Sequence, residues 1–254
     1  LTNFYDLTKP ERIKLVNKIT IEILADITSG RNTHILKYFS DEDTYIRKNA
    51  YQSIGKIYKS NKELRTGILN QLDRLIELDN PKVRQTVINS AGEIGISDFK
   101  AIENLLEKGL SDEHHSVRNA VIGSMKKMGE KNPEPILKFA KKYLHHPDKE
   151  IRREICHGIE LFGRTHPQDI LPLLKELQND ETARVRNTVI HVLGQISYKK
   201  GCLETVISDL KWWENDELVG LAIAEIIDVH KRYKNFSALT QKEAIDYIND
   251  NLVI

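Results

Sequence analysis

The 254 residues carry 38 Lys and Arg against 37 Asp and Glu, a net charge of +1, so no global field draws the chain to nucleic acid or a membrane and any electrostatic partner must meet a local patch. Forty per cent apolar residues suffice for a continuous core, and 13 glycines, 7 prolines and 7% aromatics speak against a sheet-rich or disordered chain. Two cysteines without CxxC spacing point to a reducing compartment, read as the cytoplasm; no run reaches the roughly 18 apolar residues of a membrane span, and no signal-peptide pattern opens the chain.

In chain order, residues 1–30 predict a helix that starts on Thr8, Pro10 and Glu11, repeats Ile13, Val16, Ile19, Ile23 and Ile27 at helical spacing, and stops at Ser29-Gly30. It lacks the pattern that follows and is assigned as an N-terminal cap. From 31 to 235 the chain predicts helical pairs. The first members (A helices) span 31–39, 62–77, 98–109, 133–144, 167–178 and 201–213; the second members (B helices) span 43–59, 80–95, 114–129, 148–163, 182–197 and 216–234. Pro133 and Pro167, 34 residues apart, suit a first helical turn. Turn and cap residues Asp41, Asp43, Asn80-Pro81, Asp112, Pro147-Asp148 and Asn179-Asp180 cut each pair at the same place. Residues 236–254 predict a C-terminal capping helix opened by Thr240-Gln241-Lys242-Glu243, a capping box.

The B segments are copies of one another. EHHSVRNAVIGSMKKMG, PDKEIRREICHGIELFG and ETARVRNTVIHVLGQIS superimpose without gaps on Arg118, Arg152 and Arg186, each 34 residues from the next, with earlier copies on Arg84 and Arg47 and a degenerate sixth at Gly220. Counting from the arginine, offsets +3, +4, +7 and +10 form one apolar stripe. The +11 glycines Gly95, Gly129 and Gly163 suit a C-terminal cap or a tight helix contact, and offsets +1, +5 and +8 are left for an outward face. A period in this range signals a solenoid.

This recurring pattern resembles the short variety of HEAT repeat, with a D-x-x-x-V-R-x-x-A-x-x-x-L-G core, over about residues 40–235. The resemblance implies an all-α, right-handed α-solenoid (superhelix) of five to six helical-pair repeats with capping helices, a single domain over 1–254, and B helices lining a concave surface. It implies scaffolding and binding rather than one chemistry.

The arginine ladder Arg47, Arg84, Arg118, Arg152 and Arg186 reads first as structural, each guanidinium paired with a turn aspartate (Asp41, Asp79, Asp112, Asp148, Asp180) of its own or the neighbouring repeat. The contact candidates are the +1 row (Lys48, Gln85, Asn119, Arg153, Asn187) and the +5 row (Gln52, Asn89, Gly123, His157, His191), hydrogen-bonding side chains about 10 Å apart on stacked helices. Of these, Arg153, His157, Asn187 and His191, then Asn119 and Lys48, are assigned to a partner, an acidic protein or peptide. No metal is expected: one helix spacing separates His157 from His191, too far for one ion, and no carboxylate or cysteine cluster completes the set. The pairs His114-His115 and His145-His146 fall in turns. Cys156 lies on the apolar stripe as a small buried hydrophobe. Of Trp212-Trp213, one side chain is expected in the core and the other on the surface.

Between Lys126 and Arg153 nine Lys or Arg stand against four acidic residues, a candidate phosphate-binding patch whose binding would depend on salt; the candidate nucleic-acid contacts are Lys126, Lys127, Lys149, Arg152 and Arg153 of this stretch, with Arg118 outside it. Moreover, IRREICHGIELFGRTHPQDI (151–170) is similar to a stretch of the bacterial HEAT-like DNA alkylation-repair glycosylases, in its Arg-Arg opening, apolar spacing and Arg164-Thr165-His166-Pro167 ending, and LTQKEAIDYI resembles that family's C-terminus. The family arginine falls on Arg118, but a family tryptophan falls on His157 and the family aspartate near Val83-Arg84, where no carboxylate stands. The sequence therefore predicts a non-catalytic HEAT-repeat scaffold or adaptor binding a protein along its B helices. DNA binding, with or without alkylpurine excision, is the alternative. No cofactor, small-molecule substrate, metal or membrane association is expected.

Overall fold

A computed structural model describes residues 3–252, and among these the regular structure is entirely helical. Two compact units, 1–128 and 129–254, divide the chain. In the first, α1 (Lys9–Ser29) precedes three A/B pairs: α2 (Thr33–Phe39) with α3 (Thr44–Ser60), α4 (Arg65–Leu75) with α5 (Pro81–Gly95), and α6 (Glu103–Leu110) with α7 (His115–Gly129). In the second, α8 (Pro133–Tyr143) pairs with α9 (Lys149–Gly163), α10 (Pro167–Lys175) with α11 (Ala183–Ser197), and α12 (Cys202–Leu210) with α13 (Asp216–Arg232); α14 (Gln241–Asn251) follows. Each unit is thus an α-solenoid segment in which successive B helices pack side by side.

The helices start where the sequence supplies acceptors for unpaired N–H groups. Asn80 Oδ1 accepts from the N–H groups of Lys82 and Val83 ahead of Pro81, and Asp43 and Asp148 accept from Tyr45 and Glu150. Capping boxes at Thr8/Glu11 and Thr240/Glu243 open α1 and α14, and Gly30, at φ 71°, closes α1 in the left-handed region that favours glycine. The third A helix is shorter than predicted. Its first turn is replaced by a chain reversal in which Asp98 N–H returns to Ile94 and Ile102 N–H to Phe99, so α6 starts only at Glu103.

The apolar stripe is the core. Ala50, Val87, Val121, Ile155 and Val189 at +3 and Ile54, Ala91, Met125, Ile159 and Leu193 at +7 are all essentially inaccessible to water. Cys156 lies in that stripe, and burial pushes its thiol up to about 12. Trp213 is buried and donates from Nε1 to Asp209 (2.7 Å), whereas Trp212 is 74% exposed, the division expected of the pair. On α1, by contrast, Ile13 and Ile21 stand 55% and 67% exposed, so this outer helix is not polar on its outward side as a capping repeat commonly is.

The arginine ladder is structural, in a more specific form than turn pairing. All five guanidinium groups donate from Nη1 to the carbonyl six residues earlier: Arg47 to Asp41, Arg84 to Leu78, Arg118 to Asp112, Arg152 to His146 and Arg186 to Asp180. Two also reach the next turn. Arg84 grips Asp112 through Nε and Nη2 (2.7 and 3.1 Å), and Arg152 grips Asp180 likewise (2.6 and 3.0 Å). Asp112 and Asp180 are therefore shared: the carboxylate serves the arginine behind and the carbonyl serves the arginine ahead, while Oδ1 also caps His114 or Thr182.

The +8 row is not outward. Gly92, Glu160 and Gly194 are buried in the seam between adjacent B helices. A Cβ on Gly92 would lie 2.5 Å from Ser124 Oγ and 3.2 Å from its Cα, and one on Gly194 would lie 2.6 Å from Glu225 Cγ. Of the +11 glycines, Gly95 and Gly163 take the close-contact alternative, since a Cβ would run into Met128 and Ile170 respectively.

Two measurements check this packing. Gly92→Ala is expected to lower unfolding free energy by about 1–3 kcal/mol through overpacking, whereas Gly67→Ala, with nothing near a new Cβ in α4, is expected to raise it by about 0.5–1 kcal/mol. Urea titrations of both read the contrast. Acid titration reads the ladder. Burial alone would raise the Asp180 carboxyl, but Arg152, the Thr182 N–H and Arg186 together hold it below the usual range. Its folded value thus lies below its unfolded one, near 3.9, so its contribution is present above about pH 4 and lost as pH falls through the folded value. The wild-type urea midpoint should fall more steeply below pH 4 than that of Asp180→Asn.

Candidate functional site

With the arginines engaged at turns, the +1 and +5 rows are polar positions of each B helix that reach the surface. They alternate with the buried +3 and +7 stripe on a 3.6-residue helix, which is why they remain at the surface. In the first unit Lys48 and Asn119 are exposed and Gln52, Gln85 and Asn89 half-buried. A groove of about 280 Å³ between α3 and α5 is lined by Lys48, Gln85 and Asn89 with Thr44, Tyr45, Arg47 and Tyr51. A second, of about 340 Å³ and further along the same helices, is lined by Gln52, Lys56, Lys59 and Glu93 among others. Glu93 also holds Lys127 of α7.

In the second unit Asn187 is exposed, whereas Arg153, His157 and His191 are half-buried and already engaged. Arg153 Nε donates to Glu150 Oε2 (3.0 Å), with Glu154 at 3.9 Å, and Arg184 contacts the other Glu150 oxygen (3.1 Å). The charge assigned to an acidic partner is thus largely balanced within the chain. His157 and His191 meet edge to face across α9 and α11, ring centroids 5.5 Å apart.

This contact overturns the distance argument made from the repeat spacing. Backbone separation between neighbouring B helices does not limit side chains that lean toward one another across the seam. His157, Glu160 and His191 bring one ligand atom each to within 4.8 Å of one another. The carboxylate that sequence reasoning missed is Glu160, a +8 residue taken as outward but 2% exposed. Its signal was in the alignment: the +8 row reads Gly55, Gly92, Lys126, Glu160, Gly194, and a carboxylate where glycines allow close approach has to face the next helix. The 34-residue step also continues His157 and His191 to Glu225, whose Oε1 is 3.8 Å from His191 Nδ1. Burial holds the His191 imidazole below its usual value, with His157 and Arg232 acting in the same direction and Glu160 and Glu225 opposing.

The cationic stretch is less uniform than its count. Arg152 is buried on Asp180, Arg153 is held by Glu150, Lys138 pairs with Glu134 on α8 (2.7 Å), Lys127 is bound to Glu93 and Arg118 donates to the Asp112 and Glu113 carbonyls. Lys131, Lys141 and Lys149 are exposed. Of the stretch's lysines in the second unit, Lys138, Lys141 and Lys142 lie on α8, Lys149 opens α9 and Lys131 precedes α8. Near Val83-Arg84, where the glycosylases carry an aspartate, Val83 is buried and Arg84 is the guanidinium that grips Asp112. No described helix is long and apolar enough to cross a membrane.

Comparison with known proteins places the fold. Residues 134–225 match the family described as HEAT repeats, and residues 23–156 match that of non-SMC mitotic condensation complex subunit 1. Among solved structures, the chain is similar to AlkD2 from Streptococcus mutans (17% identity, TM-score 0.57, covering 80% of this chain and 97% of that one). It is similar to smu.31 from Streptococcus mutans UA159 (17%, 0.55, 80% and 97%) and to the MAST/Orbit N-terminal domain (14%, 0.54, 76% and 95%). Identities this low show a shared fold alone. No curated protein matches the chain.

Proposed function

The chain belongs to the HEAT-repeat proteins and, through residues 23–156, to the family of non-SMC mitotic condensation complex subunit 1; from that premise we propose that it is a non-catalytic scaffold or adaptor that binds a protein along its B-helix face. The observation that carries this reading is the division of labour on each B helix. The repeat arginines turn onto turn carbonyls and aspartates, while the +1 and +5 positions keep amide and ammonium donors at the surface, beside grooves between neighbouring helices. Such a face suits an extended acidic segment whose backbone and carboxylates accept from side chains spaced one helix apart. A family described as a subunit of a complex accords with a binding role.

Lys48, Asn119 and Asn187 are the principal contacts, with Lys56 and Lys59 supplying positive charge in the first unit. Arg153, His157 and His191 contribute shape and polarity more than net charge, since their carboxylate neighbours lie within the chain.

The likeness to AlkD2 and smu.31 together with the partial glycosylase resemblance makes DNA the second ligand to test. Photo-crosslinking residues placed at Asn119 and Asn187 should capture the same protein, and the same residue at Lys138 or Gln168 on A helices should not. Capture from the A helices alone would contradict the proposed face. Labelled duplex DNA over a salt series supplies the other arm. Micromolar binding lost in Lys149→Glu/Arg153→Glu would replace the protein-scaffold reading with a nucleic-acid one.

A further inference from the structure

His157, Glu160 and His191 are unlike the rest of the B-helix face. Three groups of metal-ligand chemistry converge there from two neighbouring helices, and one of them, Glu160, is buried. We propose that these three side chains form a binding site for a divalent first-row transition ion, zinc above all, in the seam between α9 and α11.

The geometry favours this over an incidental cluster. His157 and Glu160 are i and i+3 on α9, so they lie on one helical face, and His157 Nδ1 is 3.5 Å from Glu160 Oε2. Two ligands of one tetrahedral zinc ion, at bond lengths near 2.0–2.1 Å, are themselves roughly 3.4 Å apart, so this pair already has the required edge. His191 arrives from α11; the three ligand atoms lie within 4.8 Å of one another, so closing the triangle to a zinc edge asks for a shift of at most about 1.4 Å, within reach of a rotation of the half-exposed His191 imidazole.

The carboxylate is oriented from behind. Arg164 Nη2 donates to Glu160 Oε1 (2.6 Å) and to Gln195 Oε1 (2.8 Å), which fixes the rotamer that turns Oε2 toward His157. Ligating carboxylates are commonly held in this way by a hydrogen bond to the non-ligating oxygen. The positive charge of Arg164 opposes a cation, and Glu225, 3.8 Å from His191 Nδ1, adds a second carboxylate beside the site, itself paired with Arg232 (2.6 Å). Two imidazoles and one carboxylate, without a thiolate, are a zinc-type donor set that leaves a fourth position for water, for Glu225 or for a donor from a bound partner.

This goes beyond the scaffold reading and does not depend on it. An ion here would pin α9 to α11 and place a Lewis acid on the face assigned to recognition. It is tested on the intact chain, stripped with chelator, by equilibrium dialysis against zinc alone at neutral pH. One equivalent bound with micromolar or tighter affinity is expected in the wild type and in His145→Ala/His146→Ala, which removes a surface histidine pair on the same unit. His191→Ala and His191→Asn should each weaken binding about 100-fold with unchanged far-ultraviolet circular dichroism. Cobalt should give the intense visible absorption of a tetrahedral site in the wild type and lose it in both variants. Failure to bind one equivalent below about 100 μM free zinc, weaker than the structural-zinc range, or binding that survives both His191 substitutions, would overturn the proposal.

Discussion

A bidentate grip of an arginine on the aspartate of the following turn is the interaction on which each unit depends. Arg152 sits on α9, but its Nη1 holds the turn before that helix and its other nitrogens hold Asp180 in the turn of the next repeat. One guanidinium thereby couples two turns and sets the offset between neighbouring B helices, as Arg84 does through Asp112 in the first unit. Both pairs are almost fully withdrawn from water, a situation in which the charges stabilise the fold only if every donor and acceptor is used. At Arg152 the His146 and Pro147 carbonyls and Thr182 Oγ1 take the N–H groups that Asp180 does not, and at Arg84 the Leu78 carbonyl adds to the two bonds of Asp112; the Thr182 and His114 N–H groups use the remaining carboxylate capacity.

That offset determines what the rest of the surface can do. With B helices held close, the +8 positions lie in the seam, and glycine is favoured there because a side chain would strike the neighbour. At Glu160 the seam instead admits a carboxylate, stabilised by Arg164, and the same close approach brings His157 and His191 into contact. The polar +1 and +5 rows stay at the surface, the positions proposed for recognition. In the first unit they keep exposed lysine and amide donors, whereas in the second the cationic member is neutralised by its own helix. The two units therefore offer chemically different faces despite a common repeat.

Periodicity made the architecture legible. The arginine-anchored alignment located nearly every helix, the apolar stripe and the turns, because burial repeats with the helical period and turn chemistry repeats with the chain. It also assigned the arginines to structure. Less was legible where a side chain's role depends on its neighbour in the next repeat rather than on its own helix. The outward assignment of the +8 row failed because a single helix shows a stripe but not the width of its seam. The distance drawn between His157 and His191 was a backbone distance, and side chains of this length close most of it. The Lys126–Arg153 stretch read as one patch because sequence counts charge without showing that Arg152 points at Asp180 and Arg153 at Glu150.

The account stands on the claim that these guanidinium groups couple one repeat to the next and are not reserved for a ligand. A double-mutant cycle on Arg152→Met and Asp180→Asn, read by urea unfolding at neutral pH, tests it most directly, because the cycle isolates the pairwise energy from the effect of each truncation. A coupling of about 2–3 kcal/mol is predicted, in keeping with a hydrogen-bonded buried pair. A coupling below about 0.5 kcal/mol, within the additivity expected of independent sites, would contradict it and return Arg152 to the list of residues available for binding.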